Sequence, residues 1–155
     1  MAGPISGGPI SGEPNLQIEA LSCRPAGQPG QWIASWRIQN LERQPAEILS
    51  VWLPHDKFTS ERRNFDPPLH LSGMETLALE LPVACQEPPG SVVENAFAIL
   101  QLLRMGRSWR VFARHLVSVD DAGTPQHICQ AVTVQPIGIS TRSGPQPSQG
   151  QSNVF

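Results

Sequence analysis

Between Gln31 and Asn40 the chain shows its cleanest alternation, with Trp32, Ala34, Trp36 and Ile38 on one side and Ser35, Arg37 and Gln39 on the other. Only an extended strand with one buried face turns every second residue inward, so this segment excludes an amphipathic helix and demands a sheet. The same period recurs along the chain at roughly the 8 to 12 residue spacing of all-β domains. Leu16, Ile18 and Ala20 alternate with Gln17 and Glu19 in Asn15–Arg24, and Leu77, Leu79 and Leu81 alternate with Thr76, Ala78 and Glu80 in Glu75–Val83. A more uniformly apolar strand is expected over Glu47–Pro54, then a polar excursion over His55–Phe65, a short strand over Pro68–Ser72 and a bend at Gly73.

Asn95–Arg104 is open to two readings. AFAILQLL has helix-forming composition between a possible N-cap, Asn95, and a possible C′ glycine, Gly106. Such a helix would be apolar on every face and barely three turns long, so strand is the reading adopted, returning through Met105-Gly106 into Arg107–Val119. That turn pairs Leu102 with Trp109, Leu100 with Val111 and Ala98 with Ala113, a face fit for the core. A turn over Asp120–Pro125 then leads into a last strand, His127–Val134.

Sixteen prolines and thirteen glycines suit many short strands joined by turns. They also mark the ends. GPISG occurs at Gly3–Gly7 and again at Gly8–Gly12, and the residues from Gly138 on are Ser, Gln, Gly and Pro-rich without periodicity. The expected organisation is a disordered arm over 1–14, a β domain over 15–137 and a disordered tail over 138–155.

Seven or eight antiparallel strands at this spacing, over about residues 15–137, resemble the immunoglobulin-like or fibronectin type III-like β-sandwich. The resemblance implies two sheets packed face to face, and it implies nothing specific about function, because that fold carries many.

Charge and thiols narrow the function classes. The net charge is −2 and Lys57 is the only lysine, so no basic field exists to draw nucleic acid. No apolar run approaches the roughly 18–20 residues that span a bilayer, and Met1–Asn15 has no basic and apolar leader, so neither membrane insertion nor export is expected. Cys23, Cys85 and Cys129 cannot all pair within the chain, which points to a reducing, cytoplasmic setting.

Chemistry-bearing patterns are sparse. His127-x-Cys129 places two possible ligands on one side of a strand, with His55, His70, Cys85 and His115 elsewhere, and two ligands do not make a metal site. There is no G-x-S-x-G elbow, GPISG lacks the ending of a phosphate cradle, and Asp120-Asp121 fits a turn better than an acid–base pair. No cofactor and no catalytic residue are therefore expected; an enzyme or metal carrier built on Cys85, His127 and Cys129 is the weaker alternative. A sugar-stacking platform on Trp32, Trp52 or Trp109 is the other alternative, opposed by the core-like company of Trp32 and Trp36.

The strongest lead is the far side of the same hairpin. If Leu102, Leu100 and Ala98 face inward, then Phe97, Ile99, Gln101 and Leu103 lie outside beside Arg110, Phe112, Arg114 and Leu116. Aromatic residues mixed with arginine are what contact surfaces enrich. The expectation is a non-enzymatic interaction module or accessory subunit, contacting a protein partner or its own copy through Phe97, Ile99, Arg110, Phe112, Arg114 and Leu116.

Overall fold

A computed structural model describes residues 12–138, and every regular element in that span is a β-strand. Strands β1 (Leu16–Pro25) and β2 (Gln31–Asn40) are the two alternating segments at the start of the chain, and β5 (Thr76–Ala84) pairs against the other side of β2. In these three the alternation decides the outcome: Leu16, Ile18, Ala34, Trp36, Ile38, Leu79 and Leu81 are buried while their sequence neighbours are more exposed. Strands β3 (Ala46–His55), β4 (Phe58–Leu71), β6 (Val92–Arg104), β7 (Arg107–Val119) and β8 (Pro125–Pro136) supply the opposing wall.

All neighbouring pairs are antiparallel, and the strand order is β1-β2-β5-β4-β3-β6-β7-β8. The all-β, antiparallel part of the expectation is what the structure shows. The ladders do not divide the strands into the two separate sheets implied by an immunoglobulin-like sandwich, because β4 and β5 are joined, by the single pair Thr59↔Ala84. At the opposite side β1 lies against β8, so the sheet curls towards a barrel around one core. Trp109, Phe58, Ile38, Leu81, Leu100 and Leu102 are fully buried in it, each contributing about 1.5–3 kcal/mol by leaving water.

The polar excursion expected at His55–Phe65 is instead mostly strand. His55 pairs with Phe58 across a two-residue turn, and β4 runs on through Arg63 and Asn64 beside Val51 and Ser50. Its polar side chains misled the sequence reading because Glu61, Arg62, Arg63 and Asn64 are exposed on a strand that is barely paired on its far side. Charged residues there, and Pro82 on β5, are the usual protection of an open sheet edge.

Asn95–Arg104 is strand, with the expected hairpin register: Leu102↔Trp109, Leu100↔Val111 and Ala98↔Ala113. Met105 (φ 52°) and Gly106 (φ 77°) both have left-handed backbones, as a two-residue turn of the type I′ class requires. Asn95 caps no helix. It has φ 58° inside the bulge between Val93 and Ala96, where its short polar side chain tolerates the left-handed region.

Two buried polar residues fasten one end of the molecule. The Asn40 side-chain amide donates to the carbonyls of Gln44 (2.9 Å), Leu71 and Ser72 (both 3.3 Å), while its oxygen accepts from the Glu42 amide (3.0 Å). Arg104 is buried, donates to the Gly12 carbonyl and lies 3.6 Å from the Glu42 carboxylate. Gly12–Pro14, placed in the arm by sequence, are thus among the described residues, and Pro14 is buried. The remaining arm, residues 1–11, and the tail from residue 139 lie outside the described residues.

Candidate functional site

The outward face of β3, β6, β7 and β8 is built by register. Trp52 pairs with Ile99, Ile99 with Phe112 and Phe112 with Thr133, a row of side chains running across four strands on one side of the sheet. Phe97, two residues from Ile99, stands on the same face with its ring edge-on to Phe112, centroids 6.4 Å apart. Phe97 is paired with Arg114, Gln101 with Arg110 and Leu116 with Ile128. Phe97, Ile99, Arg110, Phe112 and Leu116 are half-buried and Arg114 is exposed, so the six residues singled out from sequence do share this face.

Two members were missed. Trp52 was assigned to the sugar alternative, yet its ring lies on this face with the Arg62 guanidinium 3.9 Å above it. The miss has a physical cause: a bulge between Ile48 and Ser50 resets the strand's parity, so Ile48, Val51 and Leu53 face the core and Trp52 turns outward. In a uniformly apolar run that reset is invisible. Ile128 is 58% exposed beside Leu116. An isolated isoleucine between His127 and Cys129 gave no sign that it extends a patch begun two strands away.

The border of the face is basic. Arg62, Arg110 and Arg114 flank the aromatic centre, while the acidic side chains Glu47, opposite Leu103, and Glu94, in the bulge of β6, stand towards opposite ends. A half-buried aromatic and aliphatic centre with guanidinium groups at its rim can bury against an apolar surface and take carboxylates from that surface's edge.

The alternatives fare worse. Trp109 is wholly buried and Trp36 nearly so, while Trp32 is half-buried and donates its indole N–H to the Cys85 carbonyl at 2.9 Å. The tryptophans therefore form no common stacking plane. Cys85, named in the enzyme or metal-carrier alternative, is buried, and burial raises the pKa of all three thiols, that of Cys23 to about 12. None is a thiolate poised for attack.

A second cluster was invisible in the sequence. His115 and His127 stack in the core with centroids 5.7 Å apart and planes 18° from parallel, and the Trp36 indole stands edge-on to both. The Trp36 N–H donates to His115 Nε2 at 2.9 Å, and His115 Nδ1 lies 2.9 Å from the Ala113 carbonyl and 3.2 Å from the Ala96 carbonyl. Since an indole N–H can only donate, His115 is neutral with its proton on Nδ1. Neither ring nitrogen of His127 has a partner; the backbones of Ser22 and Ser35 are near but outside bonding geometry. Stacked rings do not converge on one ion, and among the described residues no three His, Cys, Asp or Glu side chains group as metal ligands.

A third feature is the opening between β4 and β5, a groove of about 550 Å³ lined by Thr59–Arg63 and Leu81–Ala84. It is the gap left where the two strands part beyond their single pair. Comparison of the chain with protein-family models and with curated proteins finds no match.

Proposed function

We propose that the chain is a non-enzymatic interaction module, an accessory domain that docks on a protein partner through the outward face centred on Ile99 and Phe112. The observation that carries this reading is the continuous row Trp52–Ile99–Phe112 with Phe97 against it, placed outside a core that is already complete. Guanidinium groups at the rim favour a partner with carboxylates around an apolar centre. Contact with a second copy in a two-fold arrangement is disfavoured, since it would set the arginines of one copy near those of the other.

The finer architecture belongs to the same proposal. The order β1-β2-β5 on one side and β4-β3-β6-β7 on the other is that of the A-B-E and C′-C-F-G strands of an immunoglobulin-like sandwich, with β8 as an added strand. The single Thr59↔Ala84 pair would then be a stitch between sheet edges. Three unpaired cysteines favour a reducing compartment for the module.

The test is the double variant Phe112→Ser with Arg114→Glu, studied by melting, sizing and partner capture. Unchanged melting with lost association supports docking through this face. A folded variant that associates as the parent does would remove the face from the function.

A further inference from the structure

We propose that the seam where β1 lies against β8 is an acid-sensitive joint, in which a proton taken up by the stacked His115–His127 pair drives His127 out of the core and parts the first strand from the last. This stands apart from the docking reading and concerns different residues.

The geometry sets the pair at a weak line. The two strands are the ends of the sheet order and no ladder joins them among the described residues, so side chains rather than backbone bonds hold them together. His127 belongs to the edge strand β8, and its ring reaches Trp36 of β2 (centroids 4.9 Å) and Phe58 of β4 (5.7 Å). Both histidines are almost wholly buried.

Neither ring can hold a second proton where it stands. Protonated His115 would turn an N–H towards the Trp36 N–H in place of an acceptor. Protonated His127 would be a buried cation with only the Ser22 and Ser35 backbones near it, neither of them in hydrogen-bond geometry as the ring stands. The surroundings offset that charge only in part: the Ser22 backbone on β1 and the Ser35 backbone on β2 favour the proton, but burial outweighs them. Cys23, next to Ser22, and Cys129, opposite His115 on β8, are neutral thiols; β2 and β4 bring Trp36 and Phe58, and β6 brings the Ala96 carbonyl. Accordingly both imidazoles are pushed down by burial, His127 to about 4, with the neighbouring His115 adding to its shift.

The two rings are not equivalent in what they would do. His115, on the interior strand β7, is held by Trp36 and faces the carbonyls of Ala96 on β6 and Ala113 on β7. His127 has no such tie and sits on the strand that ends the sheet, so it is the one to leave.

The experiment uses the full chain. Amide exchange, corrected for its intrinsic pH dependence, is followed from pH 7 to pH 5 on β1, β8, β3 and β6, alongside imidazole titration by NMR. The joint predicts opening of β1 and β8 that sets in below about pH 6.5 and steepens towards roughly tenfold per pH unit for each proton taken up, with β3 and β6 unchanged, and imidazoles that titrate as those amides open. In His127→Leu the same amides should be flat with pH, while the double variant His55→Gln with His70→Gln should behave as the parent. Should His127→Leu fail to fold, the parent still decides: β1 and β8 amides that stay closed to pH 5, or that open only together with β3 and β6, overturn the proposal, as does a folded His127→Leu that keeps the parent's profile.

Discussion

Trp36 concentrates several duties in one side chain. It sits in the alternating row of β2, fills the core and supplies the one donor that His115 Nε2 accepts. Trp36→Ala should therefore cost about 3–5 kcal/mol through the cavity alone, at the upper end because His115 loses its partner as well. Urea unfolding checks this, and a variant as stable as the parent would mean the indole is not packed. His127 gives the pH dependence at this scale. Its folded pKa, about 4, lies below the ordinary 6.5, so between those values the unfolded chain binds the proton and the folded chain does not. Stability is then complete above about pH 6.5 and falls as the pH drops towards 4, by about 3 kcal/mol in all for this one group. The same urea series at pH 7.5 and pH 4.5, run on the parent and on His127→Leu, measures that difference directly: the variant should lose less.

Among elements, the β6–β7 hairpin does most to place the docking face, and its turn is where its sequence is least suited to its backbone. Gly106 accepts a left-handed conformation freely, whereas Met105 at φ 52° pays for a Cβ there. Met105→Asn should raise stability by about 0.5–1 kcal/mol without moving the face, since Met105 is exposed. A drop in melting temperature would show that the methionine side chain has a packing role. The β4–β5 turn is constrained differently: a Cβ on Gly73 would come within 2.0 Å of the Arg43 carbonyl oxygen, so this bend needs glycine for close approach to the β2–β3 loop. Asn40 completes the same junction by bonding the loop at Gln44 and the end of β4 at Leu71.

On the scale of the whole molecule, the buried Arg104 ties the start of the described chain to the β2–β3 loop by way of Gly12 and Glu42. A chain beginning at Asn15 should be about 1–3 kcal/mol less stable than one beginning at Gly12, because the guanidinium loses an acceptor in a site that water reaches poorly. Equal melting of the two would show that Arg104 finds another partner. The curled sheet also explains how one core serves strands from both ends of the sequence: β1 and β8 meet, so closure depends on side chains such as His127 as much as on ladders.

The strands themselves were legible because period-two alternation is a local consequence of one-sided burial, and the hairpin register followed from a turn only two residues long. That is why Phe97, Ile99, Phe112 and Leu116 were placed on one outward face from sequence alone. Bulges erased the rest. One reset the parity of β3 and hid Trp52, another put Asn95 in a left-handed bend that read as a helix cap, and β4 was masked by the charges that guard its edge. What only the tertiary structure decided is everything that needs strands far apart in the chain to meet: the junction of β4 with β5, the contact of β1 with β8, and the stacking of His115 on His127 against Trp36. No local pattern encodes such meetings, because the partners lie many residues apart and each by itself is an ordinary residue of an ordinary strand.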